Sequence, residues 1–138
     1  MLRTHVSFES TPGAVIDSAD AAALAPQLIT ALKQHGVAAT PVRALDYAQE
    51  FELRYGGRTF YSMLGPANDE DRQWLWFADS TLGAWARLVG RRDESEHTVV
   101  LQAMNAVLHE LRMQSVRWYT AADWNEAPAD HWHPEPGA

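Results

Sequence analysis

A β-hairpin is predicted by Glu50-Phe-Glu-Leu-Arg-Tyr-Gly-Gly-Arg-Thr-Phe-Tyr-Ser-Met-Leu64, where two glycines separate two segments of alternating polar and apolar residues. Consecutive glycines suit a two-residue turn that requires positive φ, and alternation is typical of strands with one buried face. A turn at Gly56-Gly57 pairs Leu53 with Phe60. The buried side is then predicted to carry Phe51, Leu53, Tyr55, Phe60 and Leu64, and the opposite side Glu50, Glu52, Arg54, Thr59, Tyr61 and Met63.

The hairpin is predicted to continue into a third strand after a polar loop from Pro66 to Arg72. The run Gln73-Trp-Leu-Trp-Phe-Ala78 offers large residues to both faces, which indicates a strand in the interior of a sheet. Residues Glu50 to Asp79 are therefore predicted to form a three-stranded antiparallel meander.

Two further strands are predicted before the meander. Thr4 to Glu9 alternate in polarity and predict a short first strand. Val37 to Tyr47 contains Pro41, which is consistent with an edge strand or with an extended connection into the meander.

The first helix is predicted between these strands. Its apolar residues recur at helical spacing and are Leu24, Leu28, Ile29 and Leu32. Gly36 is a suitable residue to end it in the left-handed conformation. Because Pro26 fits best in a first turn, the regular helix either begins near Ala25 or follows a separate irregular turn over Ala19 to Leu24.

A second, longer helix is predicted from Asp93 to Met113. Asp93 and Glu96 have the spacing of a capping box, and Arg112 lies in the last turn. The apolar stripe of this helix comprises Val99, Val100, Ala103, Met104, Val107, Leu108 and Leu111. We expect the helix to pack across the meander, and Ser115 to Tyr119 to form a last strand.

The predicted fold is α+β, with element order β-α-β-β-β-β-α-β and two helices packed on one face of a mainly antiparallel sheet. Residues 1–120 are predicted to form a single domain, and residues 121–138 an irregular, acidic, proline-containing C-terminal tail, part of which Trp124 could order by packing back on the domain. Four of the six tryptophans lie in predicted elements and are expected in the core, namely Trp74, Trp76, Trp85 and Trp118. Leu82 to Val89 is expected to form a short helix or a buried turn.

The composition restricts the classes of function. The chain has 138 residues, a net charge of -7 and no cysteine. An acidic protein is a poor partner for nucleic acid or for an anionic membrane and a good partner for a basic protein. The lack of cysteine excludes disulfides and thiolate chemistry, and no segment has the pattern of a signal peptide or a membrane span. We therefore expect a cytoplasmic protein.

No motif of the sequence specifies a reaction. A nucleophile elbow, a phosphate-binding glycine loop and a His-Glu-x-x-His motif are all absent from the sequence. Glu50 and Glu52 share a strand face and could act as an acid/base pair, although alternation along a half-exposed strand explains them equally well. The sequence thus predicts a non-enzymatic protein without catalytic residues.

Histidines near the C-terminus supply the alternative interpretation. His131 and His133, with Asp130 or Glu135, could furnish imidazole and carboxylate ligands for a small metal-dependent enzyme or metal-binding protein. The neighbouring prolines give no sign of a rigid second shell, so we expect no metal and no organic cofactor. His97 and His109 lie on the second helix and are interpreted as partly exposed helix residues.

Acidic residues combined with an aromatic residue are the better candidates for function. Aromatic anchors with a charged rim are typical of protein interfaces, and negative potential accelerates capture of a basic partner. Solvated loops that keep the protein soluble are the alternative interpretation. The predicted partner contacts are Asp69, Glu70, Asp71, Asp123, Trp124 and Glu126, with Glu50 and Glu52 behind them.

The order of these segments resembles small α/β immunity proteins encoded beside bacterial secreted toxins. The resemblance covers Leu45 to Trp124 and includes a Trp-Leu-Trp-Phe strand, a Leu-Val-Gly-Arg-Arg-Asp turn and a Val-Arg-Trp-Tyr strand. It is one of architecture and composition, without a diagnostic motif. The resemblance implies a cytoplasmic, non-enzymatic bacterial protein that covers the active site of a cognate toxin.

Overall fold

The computed structural model describes residues 2–10, 18–67, 73–80, 95–126 and 131–137. Within these residues the chain is α+β, as predicted. The strands are β1 (His5–Glu9), β2 (Ala38–Ala39), β3 (Arg43–Ala44), β4 (Gln49–Tyr55), β5 (Arg58–Pro66), β6 (Trp74–Ser80) and β7 (Gln114–Tyr119). The helices are α1 (Ser18–Gln34), α2 (Ser95–Glu110) and α3 (Ala121–Glu126).

The described strands form one antiparallel sheet in the order β2-β4-β5-β6-β1-β7, with β3 also paired to β4. The hairpin has the predicted register, since Tyr55 lies opposite Arg58 and Leu53 opposite Phe60. Gly56 and Gly57 have φ values of 60° and 77°, as a two-residue turn of this kind requires. β6 lies between β5 and β1, which confirms the prediction of an interior strand.

The core lies between one face of the sheet and the helices α1 and α2. The sheet contributes the predicted apolar side of the meander, together with Val6 and Phe8 of β1 and Trp118 of β7. From α2, buried residues Val100, Met104 and Val107 pack into the same cluster. Trp74, Trp76 and Trp118 are buried as predicted, whereas Trp85 lies outside the described residues.

Each buried indole donates a hydrogen bond. Trp74 Nε1 donates to Ser10 Oγ (3.1 Å), Trp76 Nε1 to Ser62 Oγ (2.8 Å) and Trp118 Nε1 to Asn105 Oδ1 (2.9 Å). Ser62 Oγ in turn donates to the carbonyl oxygen of Phe77 (2.7 Å). Because an unpaired buried donor costs about 1–3 kcal/mol, these partners allow tryptophan to be placed in the core.

Helix α1 corrects the prediction for Pro26. A single helix extends from Ser18 through Pro26 to Gln34, so neither predicted alternative is right. Proline has no backbone N–H, so the carbonyl of Ala22 receives no helical hydrogen bond from position 26. Both Pro26 and Ala22 are exposed. Leu24, Leu28 and Leu32 are buried on the other side, and their burial offsets the local cost. Gly36 has φ 80° and ends the helix as predicted.

The edge strand is divided by a bulge. β2 pairs Ala39 with Leu53, whereas β3 pairs Arg43 with Glu50, so three residues oppose two between these pairs. Pro41 lies in this interval, and the Thr40 hydroxyl accepts the backbone N–H of Glu52 (2.8 Å). A side chain therefore supplies the acceptor where the ladder is interrupted.

Four other predictions are corrected or refined by the structure, or lie outside the described residues. His97 is buried, and its Nε2 donates to the carbonyl oxygen of Ala78 (2.8 Å), so the expectation of partial exposure was wrong for this residue. The C-terminal segment, predicted as irregular unless Trp124 packs back on the domain, begins with the helix α3, and the Trp124 ring does pack on Tyr119. His133 pairs with Trp118 at the edge of β7. The segment Leu82 to Val89 and the predicted cap Asp93 lie outside the described residues.

We predict that Met104→Asp destabilises the protein by about 3 kcal/mol or more, because it places an unpaired charge in the core. Val99→Asp is the matched control, since Val99 lies on the same helix and is 38% exposed. Urea unfolding of both variants measures the difference. Equal midpoints for the two variants would contradict the packing.

Arg112 has φ 59° and occupies the left-handed position that ends α2. The N–H of Met113 donates to Leu108 O (2.9 Å), and the N–H of Arg112 to His109 O (3.0 Å), as in a Schellman motif. We predict that Arg112→Gly stabilises the fold by about 1 kcal/mol relative to Arg112→Ala, because only glycine adopts this conformation without strain. Thermal unfolding of the two variants provides the measurement, and an equal or lower midpoint for the glycine variant would refute it.

Candidate functional site

The side of the sheet opposite α1 and α2, called here the outer face, brings polar and apolar side chains together. Residues directly opposite in antiparallel pairs share a face, so the observed register assigns its members. They are Glu50, Glu52 and Arg54 of β4; Thr59, Tyr61, Met63 and Gly65 of β5; Leu75, Phe77 and Asp79 of β6; His5 and Ser7 of β1; and Arg117 and Tyr119 of β7.

A hydrogen-bonded network lies where β3, β4 and β5 meet on this face. The Tyr61 hydroxyl donates to Glu50 Oε2 (2.6 Å), and Arg43 Nε lies 3.3 Å from Glu50 Oε1. The Glu50 side chain is 18% exposed, whereas that of Arg43 is 77% exposed. The carboxylate is therefore held at a fixed place on the sheet, and a loosely packed guanidinium approaches it from the edge strand.

The network raises the pKa of Tyr61. The hydrogen bond to Glu50, together with burial and the negative charge of that carboxylate, raises the pKa of Tyr61 to about 12, and Arg43 opposes the rise. Tyr61 therefore remains a neutral hydrogen-bond donor throughout the physiological pH range. The neutral Tyr61 hydroxyl donates to the carboxylate of Glu50 and orients it. Because Tyr61 carries no negative charge, it does not attract cations away from that carboxylate.

Tyr47 lies beside this network at the turn between β3 and β4. The backbone N–H of Leu45 donates to Ala48 O (2.7 Å), which closes the turn. A Cβ on Gly65 would meet Tyr47 O at 2.8 Å, so the turn packs directly on β5. The Tyr47 side chain nevertheless projects into solvent, with 65% of the residue exposed.

Half-buried rings continue the outer face across β6 and β1. The rings of His5 and Phe77 stack with centroids 4.9 Å apart, and the ring of Tyr61 lies 5.9 Å from that of Phe77. Burial lowers the pKa of His5, and the nearby Asp79 carboxylate partly opposes that shift. Met63 and Leu75 are half-buried beside Phe77, which gives the face an apolar centre.

Helix α3 covers the far end of the outer face. The rings of Trp124 and Tyr119 pack edge to face with centroids 5.1 Å apart, and Tyr119 is buried. Thr120 caps the helix by accepting the backbone N–H of Asp123 at its hydroxyl (3.1 Å). Trp132 lies nearby with Arg117 positioned over its ring at 5.0 Å.

The sequence-predicted contacts that the structure describes fall into two groups. Glu50 and Glu52 lie on the outer face at β4, as their alternation predicted. Trp124 packs on Tyr119 at the β7 end of the same face, four strand spacings or roughly 19 Å away. Asp123 precedes it on α3, and Glu126 is exposed at the end of that helix. The remaining contacts, Asp69, Glu70 and Asp71, lie outside the described residues.

Sequence reasoning missed the residues between these groups. Met63 was assigned to the polar side of the hairpin but not to an interface, and Phe77 was assigned only to an interior strand. Tyr47 was placed in an extended segment without a role. The register predicted from the glycine turn already put Tyr61 and Glu50 on one side, which was the available signal for their contact.

Metal ligands do not converge within the described ranges. In residues 2–10, 18–67, 73–80, 95–126 and 131–137, no group of three or more His, Asp or Glu side chains is arranged to hold a metal ion. His131 and His133 are exposed, and His133 Nδ1 accepts the backbone N–H of Glu135 (3.3 Å). Asp130 lies outside the described residues.

Two clefts formed by described residues contain few titratable groups. One cleft, of about 470 Å³, lies between α1 and the end of α2, and Glu110 is the carboxylate residue that lines it. The other, of about 530 Å³, lies beside the Gly56 turn and contains Glu96. Neither is lined by a histidine.

Comparison with known proteins finds no matching family model, no significantly similar curated protein and no significantly similar solved structure. None of the helices in the described part of the chain is long and apolar enough to cross a membrane. The geometry of the outer face therefore provides the basis for a functional proposal.

We predict that Glu50→Gln lowers the pKa of Tyr61 from about 12 toward its usual value of 10.0. A raised pKa in the folded state contributes stability that is fully present below pH 10 and is lost as pH rises through 12. Tyrosinate absorbance is measured against pH in the wild type, in Glu50→Gln and in Tyr61→Phe. The transition that is missing in Tyr61→Phe belongs to Tyr61. An unchanged high-pH transition in Glu50→Gln would contradict the effect of the Glu50 carboxylate on Tyr61.

Proposed function

We propose that this chain is a bacterial immunity-type protein that binds and neutralises a cognate toxin through its outer face. The observation that carries the proposal is the apolar centre of Met63, Leu75 and Phe77 next to the carboxylates of Glu50 and Asp79. Such a combination of apolar anchors and charge is typical of interfaces with proteins.

The charge of the molecule supports a basic partner. The net charge of -7 attracts a basic surface over long range, and the carboxylates of Glu50, Glu52 and Asp79 surround Tyr61 on the outer face. Toxins that attack nucleic acids or nucleotides need positively charged sites, and an acidic protein occupies such a site by mimicking the charge of the substrate.

The shape of the outer face also favours a protein partner over a small-molecule substrate. A sheet face presents its groups over a broad area, whereas sites for small molecules are concave and enclose most of their ligand. Trp124 extends this area to the β7 end of the sheet, and Asp123 is the residue before it on α3. Asp69, Glu70, Asp71 and Glu126 remain predicted contacts.

We predict that Tyr47→Ala weakens binding of the partner at least tenfold, because tyrosine is enriched among the residues that carry most of the binding energy of an interface. Tyr47 is 65% exposed, so the substitution should not disturb the fold. The matched control is Gln102→Ala, since Gln102 is exposed on α2 on the other side of the sheet.

Affinity capture from the native organism with the wild type and both variants identifies the partner, and biosensor measurements then give the affinities. Co-expression with the toxin encoded next to this gene tests neutralisation directly. We expect the wild type and Gln102→Ala to protect cells, and Tyr47→Ala to protect them less. Failure to recover a stoichiometric partner, or failure of the wild type to protect, would refute the proposed function.

A further inference from the structure

The Glu50 carboxylate on the outer face already has a guanidinium beside it. Arg43 Nε contacts Oε1 at 3.3 Å, while the Tyr61 hydroxyl holds Oε2 at 2.6 Å. The contact with Arg43 is long for a charge-assisted hydrogen bond, which is usually about 2.7–2.9 Å. Because 77% of the Arg43 side chain is exposed, little packing holds it in this place.

We infer that the Glu50–Tyr61 pair is a receptor for an arginine side chain of the partner protein, and that Arg43 occupies this receptor in the free protein. The inference rests on the proposed function, because it assigns the partner group that the outer face recognises. Arg43 shows that a guanidinium reaches the carboxylate, and its exposure leaves it free to be displaced.

Arginine fits this place better than lysine for two reasons. A guanidinium presents a planar fork of donors to a carboxylate, and each carboxylate oxygen can accept more than one hydrogen bond. The exposed side chain of Tyr47 lies close enough to Tyr61 to affect its pKa, and guanidinium groups stack on aromatic rings more readily than ammonium groups do. Tyr61 fixes the carboxylate in advance, which reduces the entropy lost on binding.

Arg43 competes with the arginine of the partner for the Glu50 carboxylate, so removal of the Arg43 side chain should strengthen binding of that arginine. Removing any positive charge from this acidic protein would also favour a basic ligand, and a matched control is therefore needed. Arg54 provides it, because it is exposed on the same face of β4 and pairs across to Thr59, away from Glu50.

In the experiment, the full-length protein is titrated with the peptide acetyl-Gly-Arg-Gly-amide or acetyl-Gly-Lys-Gly-amide. Binding is measured from the changes in backbone amide chemical shifts in NMR spectra. We expect the arginine peptide to shift the amides of Tyr47, Glu50 and Tyr61 at lower concentration than the lysine peptide. Arg43→Ala should bind it about three- to fivefold more tightly than Arg54→Ala. Glu50→Gln should lose at least tenfold in affinity, and Tyr61→Phe about threefold.

Equal affinities for the two peptides, shifts confined to other surfaces, or equal affinities of Arg43→Ala and Arg54→Ala would overturn the inference. Its failure is distinguishable from failure of the proposed function. If the captured partner binds Glu50→Gln as tightly as the wild type, the receptor is wrong while the function stands. If the arginine peptide binds as expected but no partner is recovered, the function fails while the receptor stands.

Discussion

The pairing of β4 with β5 is the constraint on which the rest of the structure depends. The two positive φ values at Gly56 and Gly57 set the register, and side chains alternate between the two faces of a strand. A slip of one residue would move Glu50 and Glu52 into the core and Leu53 into solvent. The same turn therefore places both the apolar layer under the helices and the carboxylates of the outer face.

The buried polar groups connect these two faces. Trp76 on the helix side donates to Ser62, and Ser62 donates to the backbone of Phe77, whose ring lies on the outer face. His97 of α2 donates to the carbonyl of the next residue in β6, Ala78. These directional bonds fix the position of β6 against β5 and α2, which apolar contacts alone define less sharply.

The sequence predicted the parts of the fold that follow from local periodicity. Alternation and the glycine turn were sufficient for the register of Leu53 with Phe60, and helical spacing was sufficient for the stripe through Met104. Local rules misled at Pro26, because burial of Leu24, Leu28 and Leu32 holds a continuous helix that the proline alone disfavours. His97 was misassigned because its acceptor, the carbonyl of Ala78, is distant in the chain.

The candidate site was predictable only in part for the same reason. Glu50 and Tyr61 could be placed on one side of the hairpin, but the position of Arg43 depends on the bulge between β2 and β3. The stacking of His5 on Phe77 depends on the pairing of β1 with β6, which are far apart in the sequence. Contacts between distant segments carry no periodic signal, whereas alternation within one strand does.

The structure of the two sheet edges affects whether copies of the protein can pair edge to edge at high concentration. At one edge, the bulge and Pro41 interrupt the row of backbone donors and acceptors; at the other, His133 exchanges two backbone hydrogen bonds with Trp118 (2.8 and 2.9 Å). At these positions another copy of the chain cannot add a strand without displacing existing contacts. The C-terminal segment occupies the edge of β7 at Trp118, and a fusion partner that pulled it away would expose the backbone groups of Trp118 to pairing with another strand.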